Sequence, residues 1–289
     1  MARAWRIEFE GALYHVLSRG NERRDIFFGS DDRWLFLGTL GDMAQRFEID
    51  VFVYVLMDNH YHLLLRTHRA NLSKAMQWLG ATYTNRFNAR HSRSGHLFQG
   101  RFKSMLVQND AYLLQLSYYI HRNPLRAKMV KRLADYRWSS YRAYAYEQQA
   151  PEWLHTGPIL SQLVNADNRH KAYRENAQKY AKEEARLWES LRHGFLLGEK
   201  RFVSEIKKKF LPETAHREIP QQRLLTKAVD LDQILAKAAG FLGCDLDEFK
   251  KAARVSSSCV LGRDLLLYTI WQLGVRTNSQ LGEMFGMTG

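Results

Sequence analysis

The sequence predicts an α+β protein, in which a ferredoxin-like antiparallel sheet with packed helices is followed by an all-helical C-terminal region. Two observations carry this prediction. Strand-like and helical patterns alternate in the order β, α, β, β, α, β, α over the first half of the chain, and residues 228–289 hold apolar helical patterns with no strand-like run. We therefore expect a domain boundary near residue 150.

The first four elements are a strand, a helix and a hairpin. Residues 11–18 have strand-like composition, and Ser30 to Asp32 could cap a helix. That helix would carry Trp34, Leu35, Leu37, Leu40, Met43 and Phe47. The β-rich runs 50–56 and 60–66 are separated only by Met57-Asp58-Asn59, a sequence that favours a tight turn, so they predict a hairpin.

A helix, a strand and a third helix complete the predicted domain. Asn71 and Ser73 could cap the second helix, whose apolar positions are Leu72, Met76, Leu79, Tyr83 and Phe87. The fourth strand is expected within 97–108. The third helix should run from Asp110 through Tyr119 and stop at Asn123-Pro124, since proline disfavours helix in the residue before it. This order suits a small sheet with its helices on one face.

Charge and composition point to nucleic acid. The chain has 289 residues, a formal net charge of +13 and a pI of about 9.7, and such a surplus of Lys and Arg attracts polyanions. An anionic membrane is the competing partner, but no apolar run approaches the ~18 residues of a spanning helix. Two cysteines are too few for a disulfide framework, and the N-terminus lacks a signal peptide, so we expect a cytoplasmic protein.

Two histidines stand out on the predicted third strand. His60 and His62 are separated by one residue, so their side chains share a face, with Cα atoms ~6.6 Å apart. Their imidazoles can converge on one cation. Two histidines on a strand are by themselves more often structural, so further residues must agree.

The third helix provides such residues. A rotation of about 100° per residue aligns Tyr119 and Asn123 along one stripe, beside an apolar face formed by Leu113, Leu116 and Ile120. Tyr118 instead shares its side with Arg122 and points away from that face. Helical phase therefore favours Tyr119 as the inward phenol, although a half-buried core tyrosine is the alternative interpretation.

Four ordered segments resemble one known family. They are MDNHYHLLL at 57–65, GHLFQGRFKS at 95–104, YIHRNPLRA at 119–127 and WSSY at 138–141. Over residues 10–145 the chain resembles the bacterial REP-associated tyrosine transposases, members of the single-tyrosine HUH transposase superfamily. The resemblance implies a DNA nicking and strand-transfer enzyme, associated with the nucleoid.

The resemblance also assigns roles. It implies that His60 and His62 bind Mg²⁺ or Mn²⁺, with Asn123 as third protein ligand and Tyr119 as nucleophile. The product would be a 5′-phosphotyrosine and a free 3′-hydroxyl that can rejoin, and the substrate a REP hairpin with an unpaired tetranucleotide near its base. A phenol with an ordinary pKa of ~10 is a poor nucleophile at neutral pH, so a metal that aligns and polarises the phosphate suits this chemistry.

Basic residues near these motifs predict a surface for single-stranded DNA, with arginines on phosphates and aromatic rings on unpaired bases. The predicted DNA contacts are Arg86, Arg90, Arg93, His96, Arg101, Lys103, Arg122, Arg126 and Lys128, with Phe87, Phe98 and Phe102 as stacking rings. The alternative for the three phenylalanines is that they fill the core.

The rest of the chain divides into a linker and helical region at 151–225 and a helical domain at 226–289. Residues 261–286 resemble the helix-turn-helix region of the bacterial replication initiator, with one helix beginning at Arg263 and the next capped by Thr277 or Asn278. Gly289 falls where a recognition helix should begin, so either this domain is truncated or it has lost its base-reading element. Duplex DNA is a candidate partner of this domain, and no sequence readout is assigned to it.

Three activities fit this sequence. A single-strand nickase and ligase uses all four candidate residues, Tyr119, His60, His62 and Asn123. A catalytically silent regulator would hold hairpin or duplex DNA on the same scaffold. A hydrolytic nuclease would use water and tolerate loss of Tyr119. We expect the protein to act as a monomer, with a dimer as the alternative.

Overall fold

The computed structural model describes residues 6–108, 112–164, 166–180, 187, 191–192, 195–210, 231–242, 257–272 and 278–285. The chain forms two compact units. One is Ile7–Ser190, and the other comprises Met1–Arg6 and Leu191–Gly289. The first unit extends past the boundary predicted near residue 150, since it includes a further helix, Arg169–Lys179, that packs on the third helix of the domain.

The first unit contains the predicted ferredoxin-like sheet. Its strands are β1 (Leu13–Arg19), β2 (Ile49–Leu56), β3 (His60–Thr67) and β4 (Lys103–Val107). Its helices are α1 (Ser30–Phe47), α2 (Leu72–Arg90), α3 (Leu113–Arg126), α4 (Tyr141–Ala145), α5 (Gly157–Leu160) and α6 (Arg169–Lys179). The strand order is β2-β3-β1-β4 with antiparallel pairing throughout, so the predicted element order and sheet type are confirmed.

The helices lie on both faces of the sheet, and not on one face as predicted. Side chains alternate along β3, so Tyr61 and His62 point to opposite sides. The Tyr61 ring packs on Phe36 of α1 at 4.7 Å between centroids, whereas the His62 ring packs on Tyr119 of α3 at 6.4 Å. A ferredoxin-like helix pair covers only one face, and α3 covers the other.

Helix α3 continues past Pro124 to Arg126, although the sequence predicted that it would stop at the Asn-Pro step. Pro124 has no N–H to donate to the carbonyl of Ile120, one turn earlier. The side-chain amide of Asn123 donates to that carbonyl at 3.1 Å and so replaces the missing bond. The helix therefore tolerates the proline in its last turn.

The second unit contains a short hairpin and helices. The hairpin pairs β5 (Leu191–Arg192) with β6 (Leu196–Leu197), which departs from the purely helical prediction for this region. The helices are α7 (Lys200–Phe210), α8 (Leu231–Leu242), α9 (Ser257–Gln272) and α10 (Asn278–Met284). Leu235, Leu266, Ile270, Leu281 and Phe285 form a core among α8, α9 and α10.

Two details bear on the predicted helix-turn-helix segment. Helix α9 begins at Ser257 and not at Arg263, whereas α10 begins at the predicted Asn278. Thr277 and the rest of the break at 273–277 lie outside the described residues, so the motif stays a prediction. None of the described helices combines the length and apolar character needed to cross a membrane.

Candidate active site on the histidine face

Three histidines share one face of the central strands. In the β1–β3 register Leu17 lies opposite His62 and Arg19 lies opposite His60, so His15, two residues before Leu17, joins that face. The ring centroids are 5.2 Å apart for His60 and His62, and 5.1 Å apart for His15 and His62. We call this surface the histidine face.

His15 was not among the residues predicted from sequence. Its Nε2 lies 2.9 Å from Nδ1 of His62, and its own Nδ1 is buried without a hydrogen-bond partner in the described part of the chain. This contact fixes the His62 ring and leaves Nε2 of His62 as its remaining nitrogen. The histidine was visible in the strand GALYHVLS, but only the register of β1 against β3 shows that it meets His62.

The three imidazoles are neutral at neutral pH. Burial lowers the pKa of His15 to about 3. Burial, helped by the cation of Arg19 and opposed by Asp58, lowers the pKa of His60 to about 4. Burial and then the neighbouring His15 and His60 hold the pKa of His62 well below its ordinary value. Neutral imidazoles keep a lone pair, which is what a metal ligand needs.

Helix α3 brings Tyr119 to this face. Its ring stands edge-on to His15 at 6.2 Å and to His62 at 6.4 Å between centroids. The guanidinium of Arg126, two turns along the helix, lies over the same ring at 4.9 Å. Tyr119 is half-buried, so the phenol has one side against the histidines and remains accessible to a substrate.

Asn123 lies one turn beyond Tyr119. Its Nδ2 donates to the carbonyls of Tyr119 and Ile120, each at 3.1 Å, so the amide group is committed to its own helix. The carbonyl oxygen Oδ1 is the atom left to bind a cation.

The residues on this face fit a divalent ion. Two neutral imidazoles from this face and the amide oxygen of Asn123 from α3 would together be a mixed nitrogen and oxygen set, which suits Mn²⁺ and accommodates Mg²⁺. Among the described residues no three His, Cys, Asp or Glu side chains form a complete metal cluster, so the amide of Asn123 or the substrate would have to complete the set. Nδ1 of His15 is buried and has no hydrogen-bond partner among the described residues, so this face retains a polar atom that is not used by the fold.

Part of the predicted DNA surface lies beside this site. Lys103 pairs with Leu17 across β1 and β4 and so shares the histidine face. Arg126 lies over Tyr119, and Lys128 follows the end of α3 and is exposed. His96 and Arg101 are exposed in the segment between α2 and β4.

The α2 arginines face elsewhere. Arg86 donates to Thr39 at 2.9 Å, and Arg90 pairs with Asp31, both partners being on α1. These contacts lie on the sheet face opposite to the histidines. Both arginines therefore stabilise the α1–α2 pair and are separated from the histidine face by the sheet.

The aromatic residues of that region divide between core and surface. Arg93 lies over the ring of Phe87 at 5.6 Å. Phe87 is fully buried, as the core alternative predicted. Phe98 is half-buried and contacts Tyr61 at 6.0 Å between centroids, and Phe102 is also half-buried.

Arg122 requires a correction. It was predicted to contact DNA, but its side chain is buried and Nη1 donates to the carbonyls of Ala177 at 2.8 Å and Gln178 at 3.1 Å. These carbonyls belong to the last turn of α6, where a cation is favoured. Arg122 thus ties α3 to α6, and we do not retain it as a DNA contact.

Comparisons with known proteins agree with this geometry. Residues 8–123 match the model of the IS200-like transposase family, so this part of the chain is similar to that family. No curated protein sequence matches the chain.

Two solved structures are similar over parts of the chain. A REP-associated tyrosine transposase bound to a REP hairpin is 15% identical, with a TM-score of 0.45 over 55% of this chain and 93% of its own. A candidate transposase from Deinococcus radiodurans is also 15% identical, with a TM-score of 0.30 over 42% of this chain and 95% of its own.

Proposed function

We propose that the protein nicks single-stranded DNA at REP-type hairpins through a 5′-phosphotyrosine on Tyr119, and that it rejoins strands by the reverse step. The single observation that supports this most is the edge-on placement of Tyr119 against His62 and His15 on the histidine face. A phenol half-open to solvent beside neutral imidazoles is suited to nucleophilic attack on a bound phosphate.

The proposed step conserves the phosphodiester. The phenolic oxygen of Tyr119 attacks the phosphorus, its proton passes to water, and the bond from phosphorus to the 3′ oxygen breaks. The leaving 3′ oxygen takes up a proton and becomes a hydroxyl. Because the tyrosyl ester is as energetic as the bond that it replaced, a 3′-hydroxyl can reverse the reaction without ATP.

The chain's own residues position the reactants. Arg126 places a positive charge beside the phenol, and Lys103 and Lys128 add charge around the same face, where they would hold the phosphates that flank the cleaved bond. His15 orients His62 through the 2.9 Å contact. A Mg²⁺ or Mn²⁺ ion held by His60, His62 and Asn123 would supply charge neutralisation to the phosphate oxygens.

The hairpin substrate is the finer part of the proposal. It rests on the four sequence motifs that resemble REP-associated tyrosine transposases.

A covalent trapping experiment tests the proposed reaction. The protein is incubated with labelled single-stranded hairpin DNA and Mg²⁺ or Mn²⁺, and a labelled adduct is sought on a denaturing protein gel. We expect an adduct with the parent protein and none with Tyr119→Phe, which should still bind DNA.

The matched control is Tyr118→Phe. Tyr118 is adjacent in sequence but buried against Tyr173 and Tyr180, at 4.8 and 5.4 Å between centroids, so its loss should leave the adduct intact. An adduct lost in Tyr118→Phe and kept in Tyr119→Phe would refute the assignment. Cleavage without an adduct would indicate a hydrolytic nuclease, and binding without cleavage would indicate a regulator.

We also propose that the protein acts as a monomer. The ring of Tyr119 on α3 packs against His62 of its own chain, which supports a site completed by a single chain. Mixing Tyr119→Phe with His60→Ala protein should therefore restore no adduct. Restored activity would show that one chain provides the tyrosine and another the histidines.

A further inference from the structure

A second aromatic surface lies near the turn between β2 and β3. Trp34 on α1 is 57% exposed, and its ring stands edge-on to Trp138 at 5.4 Å between centroids. Trp138 is fixed in turn, because its carbonyl accepts from the N–H of Leu56 at 2.9 Å. The exposed indole of Trp34 therefore packs against a ring whose backbone is anchored to β2.

Two guanidinium groups enclose these rings. Arg137 lies over Trp138 at 4.6 Å and over Trp34 at 5.9 Å. Arg33 lies over Trp138 at 5.4 Å, and it pairs with Asp58 at 2.5 Å. These distances fall within the range of attractive cation–π contacts. We call Trp34, Trp138, Arg33 and Arg137 the tryptophan patch.

The patch lies at the histidine end of the hairpin. Asp58, which pairs with Arg33, belongs to the turn that precedes His60 by two residues. The hydroxyl of Tyr136 donates to the carbonyl of Leu56 at 2.5 Å, so the segment that carries Arg137 and Trp138 is anchored at the end of β2. The patch and His60 therefore lie at the same end of the β2–β3 hairpin.

We propose that the tryptophan patch binds an unpaired nucleobase of the single-stranded segment beside the cleaved bond. The exposed face of Trp34 stacks on the base, and Arg137 neutralises the adjacent phosphate. An oriented, exposed indole beside an exposed arginine on a chain of net charge +13 suits this ligand, since every base has a π face. This inference rests on the proposed function, because it concerns the same DNA strand.

A binding experiment tests the patch without cleavage. The full chain carrying Tyr119→Phe is titrated with a labelled DNA hairpin that has a short oligothymidine flank at its base, and with the same hairpin without the flank. Adding Trp34→Ala should weaken binding of the flanked hairpin about tenfold and leave the other unchanged. Trp34→Phe should keep most of the affinity, since it keeps a ring.

The matched control is Trp78→Ala. Trp78 also lies under an arginine, Arg46, at 5.4 Å, but it packs on Phe47, at the opposite end of β2 from Asp58. Its replacement should leave both affinities unchanged. A thermal melt of each variant confirms that it is folded.

Abasic substitution separates stacking from other losses. Single positions of the flank are made abasic in turn. At one position the abasic site should weaken DNA binding by the Tyr119→Phe protein as much as the added Trp34→Ala substitution weakens binding of the intact flank. The protein with both substitutions should bind that abasic DNA no more weakly than it binds the intact flank. Equal affinities of Trp34→Ala and its parent, or equal losses on flanked and unflanked hairpins, would overturn the inference. The adduct assay on unsubstituted protein tests the nuclease independently.

Discussion

The two sides of helix α3 are built in opposite ways. On its front, Tyr119 is half-buried beside a face of neutral histidines, and Nδ1 of His15 there is buried with no partner within the described ranges. On its back, His121 is buried with both ring nitrogens bonded, Nδ1 to the hydroxyl of Tyr173 and Nε2 to that of Ser140, each at 2.8 Å. The rotation of 100° per residue assigns neighbouring residues to these two environments.

This contrast indicates that one side of α3 supports the helix and the other side carries the candidate site. The back joins α3 to α6 through a closed hydrogen-bond network, because Tyr173 also donates to Ser117 at 2.8 Å and Arg122 bonds the end of α6. A rigid support keeps the nucleophile in place, and polar groups on the front remain available to metal and DNA. Substitutions on the front should therefore reduce activity, and those on the back should reduce stability.

The largest expected effect is on the front, at His60. Replacing His60 by Ala should lower the yield of the metal-dependent adduct roughly 100-fold or more, because it removes a candidate ligand. The melting temperature should change little, since the ring is only half-buried. The control is His68→Ala, an exposed histidine paired with Asp50 at 3.0 Å, which should keep full activity. Equal losses in the two variants would contradict the assigned role of His60.

The next test compares two arginines on the same helix. Arg122→Met should destabilise the protein by about 2–3 kcal/mol, because two α6 carbonyls lose a charged donor, and the salt dependence of DNA binding should not change. Arg126→Met should do the reverse, with weaker DNA binding, a shallower salt dependence and unchanged stability. Denaturant unfolding and binding at several salt concentrations provide both measurements. A reversed pattern would restore Arg122 to the DNA surface.

Local patterns in the sequence were sufficient to predict the elements that carry the histidines and Tyr119. The order of elements, the hairpin at Met57-Asp58-Asn59 and the shared face of His60 and His62 follow from periodicity and turn residues. Helical phase also placed Tyr119 and Tyr118 on different sides of α3, but Tyr118, which was expected to point away from the core, is buried against Tyr173 of α6. These features depend on residues close in the chain, so they can be derived without knowing the packing.

Features that depend on distant contacts were missed. His15 meets His62 only through the β1–β3 register, and Arg122 is buried only because α6 returns to cover it. Arginine side chains are normally exposed, so the burial of Arg122 could not be predicted from the residue type. Pro124 appeared to end the helix because the compensating bond from Asn123 is a property of the fold.

A smaller effect is expected from removing one hydroxyl on the back. Tyr173→Phe deletes the group that bonds both His121 and Ser117, so it should cost about 1–2 kcal/mol of unfolding free energy. The adduct yield of folded protein should stay within a few fold of the parent. Loss of activity at full stability would show that α6 acts on the chemistry directly and does not only support the helix.

The smallest expected effect is a pH dependence of stability that originates at His121 on the back of α3. Burial lowers the pKa of His121 to about 3, from an ordinary value of 6.5, and its partners are the neutral hydroxyls of Tyr173 and Ser140. Below pH ~6.5 the unfolded chain binds a proton that the folded chain does not, so the stabilisation is complete above that pH and is lost as the pH falls toward 3. Between pH 7 and 6 the loss should be about 0.7 kcal/mol. His15, His60 and His62 also make the unfolding free energy fall with falling pH. The contribution of His121 is therefore measured as the difference between the pH slopes of the parent and of His121→Asn. A slope of unfolding free energy against pH that is equal in the two proteins would show that His121 is not held neutral by the back of α3.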